Sequence, residues 1–242
     1  MHVPTVRLVG PGRAGLSLQG ALASAGWQVL EPLRRGDDLS AAGDGADVVV
    51  VATPDAVVAE VAAAIRPNPA VAVVHLAGSL GLDVLAPHPR RASLHPLVPL
   101  PDPETGAGRL AGAWFAVAGD ATARTMVSDL GGRVLVVDDG RRTAYHAAAT
   151  IASNHLVALL GQVERVATTA GVPLAAYLDL VRATVDNVAA LGPAGALTGP
   201  VSRGDWATVA RHVAVLDPDE RPGYEAMAAL ADRLADGGVR CR

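Results

Sequence analysis

The hydrophobic and polar positions of the first half of the chain alternate between two kinds of segment. Short apolar runs, several of them β-branched, are typical of strands buried on both faces. Between them, apolar residues recur at helical spacing. The pattern predicts strands at 5–10, 27–33, 47–52, 71–75, 114–118 and 134–137, and helices at 13–25 and 54–65. Such repeated strand–helix–strand units predict an α/β fold with a parallel sheet and right-handed crossovers.

The pattern changes after Asp138-Asp139-Gly140. Helical periodicity continues from there through 143–170, 174–191, 205–216 and 221–236, without a strand pattern. The first of these helices is apolar on nearly every side, which predicts that it is buried. We therefore expect two domains, a sheet domain over residues 1–138 and a C-terminal all-helical domain over residues 139–242.

A glycine-rich hexapeptide, GPGRAG, joins the first predicted strand to the first helix. At this spacing Gly10 can make a tight turn, Gly12 can admit a pyrophosphate to the backbone, and Gly15 can let the helix pack on the strand. An ordinary structural turn is the alternative, but the flanking strand and helix favour a Rossmann-like dinucleotide-binding domain. The expected cofactor contacts are Gly10, Pro11, Gly12, Arg13, Ala14 and Gly15.

The end of the second strand predicts which cofactor is bound. If that strand ends at Leu30, Glu31 meets a ribose and NAD is favoured. If it ends at Leu33, Arg34 and Arg35 meet a 2′-phosphate and NADP is favoured. We favour NADP, although two exposed arginines can also simply solvate a loop.

The next strand, 47–52, is followed by Thr53 and Pro54. Ligands bind outside the carboxyl ends of parallel strands, so both residues are expected at the cofactor. A helix begun by proline and capped by Thr53 explains the same residues without a ligand.

The helix at 143–170 carries four polar residues among its apolar ones. At about 100° per residue, His146, Thr150, Ser153 and Asn154 fall within one sector roughly 100° wide. Buried polar groups are costly unless paired, so this line predicts a wet cleft at the ligand edge of the sheet. Structural hydrogen bonds between helices are the alternative.

Two further segments offer candidate site residues. SLHPL, residues 93–97, follows an apparent fifth strand, so His95 is expected to have a catalytic or substrate-binding role unless it is structural. ALTGPVSRGDW, residues 196–206, places Arg203 where it can bind a substrate carboxylate. The same segment also reads as an interhelical turn with Asp205 as a helix cap.

Composition narrows the chemistry. All twenty basic residues are arginine, which excludes a catalytic lysine, and the single cysteine, Cys241, excludes an internal disulfide. The net charge of −4 gives no sign of nucleic-acid binding. We find no pattern for a membrane span, a signal peptide or a metal site, and expect a cytoplasmic protein.

The motifs GPGRAG, DVVVVATPDAVV, SLHPL, YHAAATIASN and ALTGPVSRGD together resemble a family that joins a Rossmann-like domain to a helical domain of unknown function, DUF2520. Its architecture is similar to that of pyrroline-5-carboxylate reductase, ketopantoate reductase, prephenate dehydrogenase and β-hydroxyacid dehydrogenases. The resemblance implies an NADP-dependent oxidoreductase and a homodimer formed through the helical domain.

The chain departs from those enzymes at one important position. β-Hydroxyacid dehydrogenases and ketopantoate reductases use a lysine on the first long interdomain helix, and this chain has His146 there. His146 is therefore our first choice for the catalytic proton donor, and His95 the second, with Asn154 beside them. Ser153, Thr150 and Arg203 are expected to bind substrate.

The sequence thus predicts hydride transfer between NADP(H) and a small keto acid, hydroxy acid or imine, in a cleft between the domains. A protein that binds NADP(H) without catalysis, as a redox sensor or an assembly partner, is the alternative.

Overall fold

A computed structural model describes the backbone of residues 2–239 and the side chains of residues 2–236, so Cys241 lies outside the described residues. The chain divides into two compact units between Ser153 and Asn154. Residues 139–153, which the sequence placed with the helical domain, are thus grouped with the sheet. Side chains of the first helix after the sheet contact β5, as Arg142 contacts Ser93, and no sequence periodicity reveals such a contact.

The first unit is built on a seven-stranded sheet in the order β2-β1-β3-β4-β5-β6-β7. Neighbouring strands from β2 to β5 are parallel, and β6 and β7 are parallel to each other. The strands are β1 Thr5–Val9, β2 Gln28–Val29, β3 Val48–Val51, β4 Ala72–His75, β5 Arg91–Pro96, β6 Trp114–Gly119 and β7 Arg133–Val136.

One pair departs from the predicted parallel sheet, because β5 and β6 are antiparallel. Pro96, the last residue of β5, pairs with Phe115 near the start of β6. The connection between them therefore starts and ends at the same edge of the sheet, which reverses β6 and β7 relative to the other strands. The sheet is Rossmann-like and mostly parallel, as expected.

Helices cover both faces of this sheet. Leu22 of the first helix packs with Leu8 and Phe115 on one face, and Ile65 packs with Val49 on the other. The helices of this unit are α1 Arg13–Ser24, α2 Val58–Ala64, α3 Pro103–Leu110, α4 Thr122–Asp129 and α5 Arg142–Thr150. Short 3-10 turns precede α2 and α5.

SLHPL does not follow the fifth strand, as the sequence suggested, but forms most of it. Its Ala92 and Leu94 neighbours pack into the core with the first helix, so Ser93 and His95 face the opposite side of the sheet. The second predicted strand is also shorter than expected, since only Gln28 and Val29 pair continuously with β1.

The predicted helix at 143–170 is not one regular α-helix. A π-helical turn, Ile151–His155, interrupts it at the place where the two units divide. The second unit continues with α6 Leu156–Thr169, α7 Leu174–Ala196, α8 Trp206–Val215 and α9 Arg221–Val239. Gly192, with φ 71°, breaks the helical path of α7 where the sequence placed its end. Residues 137–239 contain no strand, which agrees with the predicted all-helical segment.

The expectation that this long helix is buried is wrong. Ile151 is 60% exposed and Val157 is 68% exposed. Periodicity shows that a helix has apolar faces, but it does not say whether the same chain supplies the residues that cover them. Between residues 2 and 239, no helix has both the length and the apolar character required to span a membrane.

Candidate functional site

The register of the sheet aligns the last residues of β1, β3 and β4 with Ser93 of β5, which continues to Pro96. Val9, Val51, His75 and Ser93 form one row across β1, β3, β4 and β5. The residues that follow this row share one edge of the sheet, where ligands of such folds bind. We call this the ligand edge.

The GPGRAG turn stands at the ligand edge with the geometry that its glycines predict. Gly10 has φ +89°, and a β-carbon there would lie 2.7 Å from Cγ2 of Thr53. A β-carbon on Gly15 would lie 2.8 Å from Cδ2 of Leu8, so only glycine lets α1 approach β1 this closely. Gly12, by contrast, has nothing within 4 Å of that position. The loop is tight on its protein side and open where a ligand would approach.

The N-terminus of α1 has free donors. Gly12 is its N-cap residue and makes no side-chain capping bond. The first N–H groups of a helix have no partner within the helix, and the helix dipole adds positive potential there. An anion such as a pyrophosphate is the matching ligand.

A cavity of about 550 Å³ opens from this loop. It lies between the turns that follow β1, β2 and β3. Its lining residues include Gly10, Pro11, Gly12, Arg34, Arg35, Thr53 and Pro54, seven of the ten cofactor contacts expected from the sequence. Oγ1 of Thr53 is buried without a hydrogen-bond partner among the described residues, so a polar group of a ligand would satisfy it.

The two alternatives for the end of the second strand are distinguished by the backbone. Leu33 forms a parallel bridge with Val9, and its N–H donates to the carbonyl of Leu8 at 2.8 Å. The edge therefore extends to Leu33 despite Pro32. Arg34 and Arg35 line the cavity, while Glu31 is not among its lining residues.

A second group of polar side chains lies farther along the ligand edge. We call it the polar cluster: His75, Ser93 and His95 on β4 and β5, and Arg142, Tyr145 and His146 from α5. It lies on the face of the sheet that carries Ser93 and His95. All six residues belong to the first unit.

Arg142 anchors α5 to the sheet. Its side chain is fully buried, its Nη2 donates to Oγ of Ser93, and its Nε donates to Oδ1 of Asp139 at 3.2 Å. Asp139 also accepts the N–H of Leu82 at 3.0 Å. Nη1 of Arg142 is buried without a partner among the described residues. The cluster therefore contains a permanent positive charge that is shielded from water.

His95 is held between two aromatic rings of α5. Its Nδ1 lies 2.7 Å from the hydroxyl oxygen of Tyr145, and the two rings meet edge to face with centroids 5.5 Å apart. The ring of His146 also meets it edge to face, at 5.8 Å. The sequence predicted both histidines as site residues, and the fold brings them together.

Burial and charge set the protonation of the cluster. Burial, then the neighbouring imidazole of His146 and the charge of Arg142, lower the pKa of His95 to about 4. The pKa of His75, whose ring nitrogens have no partner among the described residues, is lowered to about 4 by burial and then by Arg142. Burial raises the pKa of Tyr145, and the charge of Arg142 opposes this shift. At pH 7 His75 and His95 are therefore neutral, and the phenol of Tyr145 keeps its proton.

Gly78, in the loop after β4, packs against the rings of His95 and His146. A β-carbon there would lie 2.6 Å from Cδ2 of His146 and 2.8 Å from Nε2 of His95. Backbone without a side chain is thus required for both rings to take these positions. This glycine was not identified from the sequence.

The remaining predicted site residues are distributed over both units. Thr150 and Ser153 lie at the end of the first unit and are partly buried. Asn154 and Arg203 belong to the second unit and are exposed. The π-helical turn also changes the spacing, so the single polar sector calculated for a regular α-helix does not extend past Thr150. The roles of these four residues stay predictions.

Sequence reasoning missed His75, Ser93, Arg142, Tyr145 and Gly78. Tyr145 directly precedes His146, and a histidine ending a buried strand was visible at His75. No sequence signal paired Arg142 with Ser93, because 49 positions separate them along the chain.

Comparison with known proteins supports the fold. Residues 114–231 match the family described as domain of unknown function DUF2520. The match begins in β6 and ends in α9, so it includes the last strands of the sheet as well as the helices. No curated protein matches the sequence of this chain.

Solved structures resemble the chain over nearly its whole length. A proposed NADP oxidoreductase from Bacteroides fragilis has 20% identity and a TM-score of 0.81, covering 96% of this chain and 98% of its own. Pyrroline carboxylate reductase from Plasmodium falciparum, with NADP bound, has 12% identity and a TM-score of 0.64, with 97% and 99% covered.

A reductive aminase from Aspergillus terreus, in complex with NADPH and ethyl levulinate, has 14% identity and a TM-score of 0.67, with 98% and 95% covered. At such identities the likeness establishes the fold and no more. Residues 114–231 thus match DUF2520, and the chain as a whole has the Rossmann-like fold with C-terminal helices that its motifs predicted.

Proposed function

We propose that this protein is an NADP(H)-dependent oxidoreductase that transfers hydride to or from a small keto acid, hydroxy acid or imine. The observation that carries the proposal is that the glycine-loop cavity and the polar cluster share one sheet edge. Thr53 and His95 each stand two residues beyond the same row of paired residues. β1 and β5 are three strand spacings apart, about 14 Å, so an extended ligand can reach from one to the other.

The residues at the cavity fit a dinucleotide. The open face of Gly12 and the uncapped α1 N-terminus suit a pyrophosphate, and the orphaned hydroxyl of Thr53 suits a polar group beside it. Arg13, Ala14 and Gly15 complete the loop. The fold relatives named above that hold NADP or NADPH support the same cofactor.

Two arginines favour NADP over NAD. Arg34 and Arg35 line the cavity at the end of the edge strand, and a guanidinium is the preferred partner of a phosphate. NAD would instead call for an acidic residue at this position. Glu31 does not line the cavity. Asp37 does, and its carboxylate accepts the N–H of Arg34 at 2.7 Å.

The bound cofactor supplies or accepts hydride at its nicotinamide. This chain must then supply the group that moves a proton at the oxygen or nitrogen of the substrate. The polar cluster holds groups of that kind. His146, which is half-buried beside His95, is the candidate that the sequence suggests for this role. Arg203, Asn154, Ser153 and Thr150 stay candidates for holding the substrate.

Two measurements test the proposal. A thermal-shift screen of NAD, NADP and their reduced forms should show the largest stabilisation with NADPH or NADP. Oxidation of NADPH should then be detected with a panel of 2-keto acids and cyclic imines. Reduction of NADP should be detected with hydroxy acids. Binding without turnover on the whole panel would favour the non-catalytic alternative, and absence of binding would refute both.

His146→Ala tests the role chosen from the sequence. If His146 moves the proton, its loss should lower turnover by roughly two to four decades. The affinity for NADPH should stay near the wild-type value, because the cavity does not include His146. Loss of both, or of neither, would contradict the assignment.

We also propose that two copies associate through the helical unit. Leu180, Val188 and Leu191 lie within about 80° of one another on α7 and are 62%, 39% and 63% exposed. Exposed apolar faces of this kind mark interaction surfaces. A second copy of the same chain is the partner implied by the family resemblance.

A further inference from the structure

We propose that Tyr145, and not the neighbouring His146 chosen from the sequence, is the residue that gives the proton to the substrate, with His95 as the positioning residue that holds its hydroxyl group. This inference rests on the proposed reductase activity and names the atom that completes it. The sequence did not single out Tyr145, and its role follows from the contact of its oxygen with Nδ1 of His95 at 2.7 Å.

Tyr145, and not His95, carries the transferable proton of this pair. A general acid must be protonated at the working pH before it can act. Burial keeps the pKa of Tyr145 above its ordinary value, whereas the pKa of His95 lies near 4. Of this hydrogen-bonded pair, the phenol is therefore the acid at pH 7 and the imidazole is its neutral partner.

Arg142 and His95 can stabilise the negative charge that forms on Tyr145. When the phenol gives up its proton, the resulting phenolate needs positive charge and a hydrogen-bond donor. The buried guanidinium of Arg142 supplies the charge, and it already acts to lower the pKa of Tyr145. In the tautomer with hydrogen on Nδ1, His95 supplies the donor and leaves the phenol hydrogen free to point toward a substrate.

Titratable and charged groups from three parts of the chain face His95. Arg142 and the neighbouring imidazoles disfavour its protonated form, while one carboxylate favours it. These groups are Tyr145, His146 and Arg142 on α5, His75 on β4, and Asp55 in the turn after β3. The cationic and desolvating influences dominate, so the ring stays neutral beside the phenol.

The step balances in the direction of reduction. The substrate carbon receives the hydride from the reduced nicotinamide, and the π electron pair of the C=O or C=N bond moves to the heteroatom. The heteroatom forms its new bond to the hydrogen of Tyr145 while the phenolic O–H bond breaks. Water returns a proton to the phenolate after the product leaves, so one cycle consumes one hydride from the cofactor and one proton from solvent.

The kinetic test is Tyr145→Phe, which removes only the hydroxyl group. We expect kcat to fall by about two to four decades while NADPH affinity, followed by cofactor fluorescence, stays within about twofold. His95→Asn should give a smaller loss of kcat, since it weakens the positioning of the phenol and leaves the acid in place.

The second unit offers a matched control. Tyr224 contacts Nδ1 of His212 at 2.7 Å, with edge-to-face rings 5.9 Å apart. Tyr224→Phe removes the same kind of hydrogen bond from a residue outside the polar cluster, and it should leave kcat unchanged. Equal losses in both variants would show a general structural effect and overturn the proposal.

A second readout does not use activity. In ¹⁵N NMR spectra at pH 7, His95 should be neutral with its hydrogen on Nδ1, and Tyr145→Phe should shift the hydrogen toward Nε2. A charged ring, an unchanged tautomer, or near-wild-type kcat in Tyr145→Phe would each overturn the proposal. If the wild type binds no NADPH or turns over no substrate, the proposed function itself fails, and the wild type alone shows this.

Discussion

The hydroxyl oxygen of Tyr145 lies 2.7 Å from Nδ1 of His95, and this contact joins α5 to the end of β5. A helix that sequence pattern assigns to the helical domain thereby becomes part of the sheet's ligand edge. Tyr224 and His212 of the second unit form the same kind of pair, also at 2.7 Å. What distinguishes Tyr145 is its position beside a buried cation and two histidines, at the edge where parallel strands end.

Because no atom of the described residues lies near the position of a β-carbon on Gly12, a substitution there should weaken NADPH binding without lowering the stability of the fold. Gly12→Ala should keep the fold, because its new methyl group meets nothing within 4 Å. It should weaken NADPH binding by about 10-fold or more, since the methyl stands where the backbone would approach the pyrophosphate. Gly108→Ala, which also meets nothing within 4 Å, is the matched control in α3. Calorimetric titration with NADPH decides, and equal affinities of the two variants would refute the placement of the pyrophosphate.

Arg34 and Arg35 predict the preference between the two nicotinamide cofactors. Replacing both by Gln should weaken NADPH binding by about 10- to 100-fold, because charge-assisted bonds to the 2′-phosphate are lost. NADH affinity should change little. Arg233→Gln removes an exposed arginine of the second unit and serves as control. Unchanged NADPH affinity in the double variant would show that these arginines only solvate the loop.

The close packing of Gly78 against the polar cluster predicts that this position tolerates no side chain. Gly78→Ala places a β-carbon 2.6 Å from His146 and 2.8 Å from His95, so at least one ring must move. We expect a loss of about 1–3 kcal/mol in the free energy of unfolding and a fall in turnover. Denaturant unfolding and steady-state kinetics check the two effects. A variant with wild-type stability and turnover would show that the rings do not need their present positions.

His75 predicts how stability depends on pH. Its pKa is about 4 in the folded protein and 6.5 in the unfolded chain, so only the unfolded chain takes up the proton between these values. The contribution of neutral His75 to the free energy of unfolding is complete above pH 6.5. It is lost as the pH falls toward 4, by up to about 3 kcal/mol.

Urea unfolding at several pH values measures this dependence. In His75→Gln the free energy of unfolding should fall less steeply between pH 6.5 and 4 than in the wild type. Comparison of the two proteins at pH 8, where the histidine is neutral in both states, gives the change in packing alone. Parallel curves for wild type and variant would contradict the expected pKa.

The exposed apolar side chains of α7 predict the oligomeric state. Sedimentation of the wild type should give about twice the chain mass of 24.5 kDa. Leu180→Glu with Leu191→Glu should shift the mass toward a single chain, because charge on this face opposes burial. Val136→Glu changes a valine that is 64% exposed on the edge strand β7, and it should leave the mass unchanged. A wild-type monomer would refute the proposed dimer.

Sequence pattern predicted most of the sheet, because buried parallel strands need continuous apolar runs whatever surrounds them. Val48–Val51 is the clearest case, with all four residues buried. The antiparallel β6 was not predicted, because strand direction depends on where the connection returns to the sheet. The exposure of Ile151 and Val157 was missed for a related reason, since a helical pattern does not identify the partner of each face.

By itself the sequence determined the glycine turn, the arginines after it and the absence of lysine, because these depend on residue type and local spacing. Only the tertiary structure decided that the edge strand extends to Leu33, and that Arg142 and Tyr145 meet Ser93 and His95. The contacts of Arg142 with Ser93 and of Tyr145 with His95 join residues 49 and 50 positions apart. They arise from strand register and helix packing, which depend on the whole fold and not on any segment alone.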